Sequence, residues 1–582
     1  MISKLSEIIK TECSLERNNT SNIDNVQNLF KLPISYIHDK YPIYKNIKFD
    51  LEINDSELSL YNYVFNPETK YANILLPLWS EYYTTNISFL NDSKNLIKNF
   101  KPINEEINID KVDEILSELN SETGFYEKYK YLDSKYFDFL NSNPFFLQGL
   151  TMYNLTSPIM SLAIPIIMLI IPFFMIKFQK RNITITEYIN ALITVLKYHV
   201  IGKAISEFND VGWDRRFFIL ISIIFYFINI YQNIISCYTF YKNIYKIREY
   251  LININNFLTY SIKSITNINK YCRTSYIGFV QKNEEIKNNL LVFNDKIASI
   301  NLNIITIKQV SKIGNILNFF YELFKNKKYK DSIYYCLYLQ GYIENLTCLQ
   351  KNIKNKNINY CNFTRRSCRF KEAYFPPLIN NNPIKNTYKL TKNIIITGPN
   401  AAGKTTLLKT TLFNILLSQQ LGIGFYKSAL VNPYKYIHSY INIPDTSGRD
   451  SLFQAEARRC KEILDSLSKS DNLERHFCIF DELYSGTNPT EAIASAYGFL
   501  KYISKFSNID FMLTTHYFSL CNMMNKLPNI SNKQMEILKD KTTYKIINGI
   551  SNIKGGIKVL EELSYDDEII NSANHVIDNI YI

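Results

Sequence analysis

Asn393–Thr397 reads NIIIT and runs directly into Gly398-Pro399-Asn400-Ala401-Ala402-Gly403-Lys404-Thr405-Thr406, then into LLKTTLFNILL. A buried strand, a turn with glycines at its first and sixth positions, and a helix opening on Lys-Thr form the G-x-x-x-x-G-K-T phosphate loop in the context it requires. The glycines let backbone N–H groups wrap phosphates at a helix N-terminus. Lys404 reaches the β/γ-phosphates, and Thr405 offers its hydroxyl to Mg²⁺. All nine residues from Gly398 to Thr406 are expected to contact ATP. The chain has only 17 glycines in 582 residues, so this spacing is not a by-product of glycine-rich composition.

Two further strands complete the pattern. His476–Phe480 (HFCIF) ends in Asp481-Glu482. Asp481 is expected in the Mg²⁺ shell beside Thr405, and Glu482 is expected to polarise the attacking water. Phe511–Thr514 (FMLT) ends in Thr515-His516, and a histidine at the tip of a core strand can sense the γ-phosphate. Short apolar runs alternating with helical stretches from 373 onward read as α/β.

These residues resemble the MutS family, a branch of the ATP-binding-cassette ATPases. TGPNAAGKTTLLK, FDELYSGTNPTEA (Phe480–Ala492) and TTHYFSL (Thr514–Leu520) look like three of its motifs in family order. SGRDSLFQAE (Ser447–Glu456) is similar to its signature loop, S-x-F-x-x-E, and Tyr544–Leu563 to its closing strand and glycine turn. The resemblance covers about the last third of the chain. It implies a homodimer, or a heterodimer with a related subunit, whose two ATPase sites are completed in trans. Ser451 would contact the γ-phosphate held by the opposite subunit, and His516 would be the switch histidine. Gly486, Thr487 and Asn488 would lie between the two nucleotides, and Tyr374 and Phe375 would stack on adenine. Gly124-Phe125-Tyr126-Glu127 looks like the family's mismatch-reading G-x-F-Y-E with a residue missing, but too little chain follows it to hold that module.

The rest of the chain reads differently. No charged residue occurs from Phe139 to Ile176 or from Phe217 to Tyr241. At about 1.5 Å per residue, a 25-residue helix exceeds the roughly 30 Å apolar thickness of a bilayer. Both segments therefore qualify as membrane spans, and Lys177, Lys180, Arg181, Arg215 and Arg216 flank them. The other reading is a helical hairpin buried in a soluble core. The net charge is +13, and Lys242–Glu372 holds 22 Lys/Arg against 8 Asp/Glu. Such a segment suits a polyanion, either DNA or an anionic membrane face, or else a solvated helical face. The ten cysteines form no CxxC pair, which argues against zinc and for a reducing compartment. The first residues lack the apolar core of a cleavable signal.

The expected fold is an α/β P-loop ATPase domain of the ABC type at 373–582. It follows a divergent, mainly helical region (1–150), a two-helix transmembrane hairpin (151–241) and a basic helical connector (242–372). The expected function is a membrane-anchored, ATP-driven dimer clamp acting on DNA, with two spans and the ATPase domain in the cytosol. The alternative is a soluble cytoplasmic or nuclear repair ATPase that binds mismatched DNA.

Overall fold

The computed structural model describes residues 26–53, 59–120, 124–178, 184–197, 202–203, 208, 211–298, 312–441, 443, 451–538, 541–551, 560–561 and 563–580. It is a mixed α/β structure with a mainly helical N-terminal region. Ser447–Asp450, at the head of the signature-like loop, and most of the 551–563 segment lie outside the described residues, as do Lys180 and Arg181. The chain divides into two compact units. One comprises Met1–Ile103, Ser264–Glu285 and Tyr335–Ile582; the other comprises Asn104–Lys263 and Ile286–Tyr334.

The first unit contains the sheets. β1 (Lys40–Pro42) and β2 (Tyr82–Thr84) pair antiparallel. The strands that follow are β3 (Asn359–Phe363), β4 (Cys368–Ala373), β5 (Asn386–Leu390), β6 (Asn393–Thr397), β7 (Ile423–Gly424), β8 (Ser428–Val431), β9 (Tyr436–Tyr440), β10 (His476–Asp481), β11 (Ile509–Thr514), β12 (Ile530–Leu538) and β13 (Lys541–Asn548). Two of them, β3 and β4, begin inside the stretch read from sequence as helical. Six strands form a sheet in the order β13-β12-β6-β11-β10-β9, and five form another in the order β5-β4-β8-β3-β7. In the six-stranded sheet every pairing is parallel except β12 with β13. β6 lies between β11 and β12 with all five residues buried, which is what a run of β-branched Ile in a covered parallel sheet predicts.

The second unit is helical. α1 (Pro144–Phe178) and most of α2 (Trp213–Tyr271) belong to it. The Tyr226 hydroxyl donates to the Ser161 carbonyl (3.3 Å), and the Cys237 thiol lies 3.5 Å from the Leu155 carbonyl. The two helices therefore run antiparallel past each other. Among the described residues one helix, α2, is long and apolar enough to cross a membrane, against the two spans expected from composition. None of its apolar window is buried, so the core-hairpin expectation does not describe it. Val112–Leu119 is helical as its spacing predicts, within Ile109–Asn120. Ser134–Leu140 instead forms a turn and a short 3-10 helix, Asp138–Ser142. There the Asn141 amide bonds both the N–H and the carbonyl of Leu132 (2.9 Å each), closing a loop that a continuous helix would open.

In the first unit, α3 (Lys404–Leu421) follows β6 through the glycine turn. It is buried almost all round, including polar Gln419 and Gln420 near its end. The Gln420 amide donates to the Trp79 and Tyr82 carbonyls, and its oxygen accepts from the Tyr61 hydroxyl (2.9 Å). Gln419 donates to Thr84 (3.2 Å) and Tyr434 (2.7 Å) carbonyls. The residue 26–103 segment thus holds the far end of the helix whose first turn faces the site. On the other side of the sheet, α4 (Leu452–Lys469) and α5 (Pro489–Ile503) pack Cys460, Ile463, Ala496 and Leu500 against Ile395, Cys478, Phe480 and Leu513.

Candidate functional site

Three parallel strands, β6, β11 and β10, end side by side, and their C-terminal tips carry the polar residues. The Glu482 N–H donates to the Thr514 carbonyl (3.1 Å), and the Thr515 N–H to the Ile396 carbonyl (3.1 Å). Register alone therefore brings 398, 482 and 516 to one edge.

After β6 the chain turns through Gly398–Gly403. Gly403 has φ +86°, which calls for glycine, and a Cβ there would stand a tight 3.1 Å from Tyr544 Cδ1. Lys404 folds back over the turn: its Nζ donates to the Gly398 and Pro399 carbonyls (3.0 Å each) and lies 3.3 Å from His516 Nε2. Burial pulls the Lys404 ammonium below its usual pKa, while the Glu482 and Asp481 carboxylates oppose that pull.

Thr405 Oγ1 donates to Asp481 Oδ2 at 2.7 Å, and the Thr514 hydroxyl donates to the other Asp481 oxygen. A hydroxyl and a carboxylate converging beside a phosphate-type turn are hard oxygen donors, and they fit Mg²⁺. Glu482 Oε1 is 2.6 Å from His516 Nε2. The hydrogen bond from His516 holds the Glu482 carboxyl below its usual range, against the opposing effect of burial, with His516 and Lys404 adding favourable charge.

A cavity of about 620 Å³ opens over this turn, lined by Asn400–Thr406, Glu482, Tyr374, Phe375, Asn386 and Tyr544 among others. Tyr374 is anchored by its hydroxyl on the Asn357 carbonyl (2.5 Å), with Lys385 Nζ 5.4 Å above its ring. Ser451 is not among the lining residues. It caps α4, accepting from the Gln454 N–H (3.3 Å) while Gln454 accepts from the Ser451 N–H (2.9 Å), a reciprocal capping box. Asn488 caps α5 through the Glu491 N–H (3.0 Å), and Thr487 donates to the Glu491 carboxylate (2.8 Å).

The residues 398–406, Asp481, Glu482 and His516 are thus brought together, while Ser451 and 486–488 lie on adjoining elements. Sequence reasoning singled out neither Thr514, which completes the Asp481 bonding, nor Tyr544 as a wall of the cavity. The second hydrogen-bond partner of Asp481 had a signal, the Thr-Thr-His at the strand tip. Tyr544 had none beyond the closing-strand resemblance, because its placement depends on Asn386, whose amide donates to the Tyr544 carbonyl (3.0 Å) and whose oxygen accepts from the Ile546 N–H (2.9 Å).

A mixed α/β domain with its polar residues gathered at the ends of parallel strands, behind a mainly helical N-terminal region, is the class this architecture defines. Within it, residues 394–581 match the family described as MutS domain V, an ATPase-related domain. Over 218 residues, 36% of this chain, the sequence is 28% identical to a Staphylococcus aureus protein named Endonuclease MutS2, covering 30% of that protein. The protein of the same name from strain MRSA252 is 28% identical over 218 residues, with 27% of its length covered. The chain therefore spans less than a third of the length of these relatives. The likeness is to the MutS family and lies in the last third of the chain.

Proposed function

We propose that the chain is a MutS-type ATPase acting in DNA repair, working as a dimer that closes on ATP and reopens on hydrolysis. The observation that carries this reading is the convergence of Lys404, Thr405, Asp481, Glu482 and His516 at the ends of three adjacent parallel strands. Gly398–Thr406 bind the triphosphate through backbone N–H groups, and Lys404 swings from the turn's carbonyls to the phosphate oxygens. A Mg²⁺ held by Thr405 and Asp481 would neutralise charge on the β- and γ-phosphates. Glu482 holds the attacking water and takes its proton, and His516 steadies Glu482 and meets the γ-phosphate. Ser451, at the head of α4, reaches the nucleotide of the opposite subunit. Tyr374 and Phe375 flank the base. Little covalent chemistry is asked of the protein in phosphoryl transfer, so positioning and charge do the work.

The test is Mg²⁺-dependent phosphate release by the full chain, with and without duplex DNA, mismatched DNA and anionic liposomes. Turnover no greater than that of a Lys404→Ala variant would end the ATPase reading. DNA stimulation that weakens steeply with salt is the expected result for the repair reading.

The likeness to proteins named Endonuclease MutS2 supports the repair reading. One specific observation favours a second reading, attachment to a membrane through α2: its apolar window has a mean hydropathy of 1.9 and no part of it is buried, with Phe218, Ile224, Phe225 and Phe227 all exposed. Alkaline carbonate extraction of membranes separates the two. Protein left in the pellet supports attachment, and protein released to the supernatant excludes it.

A further inference from the structure

Glu456 lies on α4, one turn beyond the Ser451 cap, and is only 2% exposed. A carboxylate buried to that degree needs its oxygens satisfied. Three hydrogen bonds to it come from one short turn, and the Tyr440 hydroxyl adds a fourth. Glu456 Oε1 accepts from the Ser485 N–H (3.0 Å) and the Ser485 hydroxyl (2.9 Å), and Oε2 accepts from the Gly486 N–H (3.1 Å).

That turn begins at Glu482, and it is conformationally costly. Glu482 and Tyr484 both occupy the left-handed region, at φ +52° and +59°, which non-glycine residues avoid. A further contact steadies it, since the Tyr484 N–H donates to the Tyr440 hydroxyl (3.1 Å). Gly486 lies directly against the first turn of α4: a Cβ there would stand 2.8 Å from the Phe453 backbone nitrogen. The Phe453 and Tyr484 rings meet at 5.6 Å. The turn and the start of α4 are therefore joined by charge-assisted hydrogen bonds on one side and by close packing on the other.

We propose that Glu456 is a positioning residue that fixes the Glu482–Gly486 turn to α4, so that Ser451 and Glu482 move as one body. This rests on the functional reading above, in which Glu482 holds the water of its own site and Ser451 reaches the opposite one. Glu456 touches no reacting atom. It acts through the backbone of Ser485 and Gly486, three and four residues past Glu482, and couples arrival of the opposite subunit's nucleotide at Ser451 to the placing of Glu482. A glutamine cannot substitute: its amide presents N–H groups to one of the two backbone N–H donors whichever way it is turned.

The test compares the full-length wild type with Glu456→Gln and Ser485→Ala. In Glu456→Gln the affinity for Mg-ATP is expected to stay within threefold of wild type while kcat falls tenfold or more. Ser485→Ala, which removes only the hydroxyl bond, is expected to lose two- to fivefold in kcat at unchanged KM. Hydrogen–deuterium exchange supplies a readout independent of turnover: the Ser485 and Gly486 amides should lose protection in Glu456→Gln while those of α3 keep it. A Glu456→Gln variant with wild-type kcat, or with affinity and turnover lost in parallel, overturns the proposal. If Glu456→Gln does not fold, Ser485→Ala decides, and an unchanged kcat overturns it. A wild type that hydrolyses no ATP instead ends the functional reading and takes the coupling with it. Protection that persists at Ser485 and Gly486 in Glu456→Gln overturns the positioning role on its own.

Discussion

His516 Nε2 stands 2.6 Å from Glu482 Oε1 and 3.3 Å from Lys404 Nζ, so a single imidazole edge faces both the carboxylate and the ammonium of the site. The neutral ring offers that nitrogen either as donor or as acceptor. Its donor form serves Glu482, and that contact depresses the Glu482 carboxyl pKa. A carboxylate with a lowered folded-state pKa contributes stability that is present above its unfolded value and is lost as pH falls through the folded one. His516→Ala should therefore be less stable than wild type at neutral pH, and the difference should begin to shrink as pH falls through about 4.5, the ordinary range of a Glu carboxyl, and disappear only below the depressed folded-state pKa. Thermal unfolding of both proteins from pH 3 to 7 measures it. A gap that is constant across that range would contradict the assignment.

Lys404→Ala and Glu482→Gln should fail differently. The first removes the cation over the turn and should weaken ATP binding by at least tenfold. The second keeps the shape of the site and should bind ATP near wild-type affinity while kcat drops by about 10²–10⁴, the usual contribution of a positioned base. Equilibrium binding and single-turnover hydrolysis, run on the same preparations, separate the two losses.

Ser451→Ala should lower turnover with little change in nucleotide affinity, since Ser451 lies outside the cavity over the phosphate turn. In mixed dimers, one Ser451→Ala subunit paired with one Lys404→Ala subunit, the reading predicts that the sole intact nucleotide site, that of the Ser451→Ala subunit, faces the intact serine of its partner and keeps its turnover. Slow turnover from that site would show that Ser451 acts within its own subunit.

The site was legible in the sequence where its parts are local. Glycine spacing, the lysine that follows and the acidic pair after an apolar run are each set by a few neighbouring residues, and the parallel register then carries them to one edge. Partnerships across the fold were not legible. Nothing around Glu456 in the sequence says that Ser485 and Gly486 will close on it, and nothing around Asn386 announces Tyr544. The Gly124-Phe125-Tyr126-Glu127 fragment, which resembled a DNA-reading motif, serves packing: Phe125 is buried and stacks on Phe324 with ring centroids 3.8 Å apart. Residues 26–103 offered little chemistry to read because much of what they give α3 is the carbonyls of Trp79, Tyr82 and Thr84, which leave little trace in residue type.

Gln420→Leu should be destabilising, by about 1–3 kcal/mol, because it leaves the Tyr82 carbonyl without the amide and takes one of two partners from the buried Tyr61 hydroxyl and the Trp79 carbonyl, which keep only each other (3.0 Å). Urea unfolding followed by far-UV circular dichroism gives the shift. A loss below about 0.5 kcal/mol would mean that water replaces the amide there.

The same pair of glutamines sets a rule for cutting the molecule. A fragment that starts at β3 would retain every residue proposed to handle ATP, yet it would strip Gln419 and Gln420 of the Trp79, Tyr82 and Thr84 acceptors and uncover the tail of α3. Catalytic equipment and structural independence therefore do not coincide along this chain: an isolated engine must be expressed together with the stretch from residue 26 to 103, either fused to it or supplied as a second polypeptide.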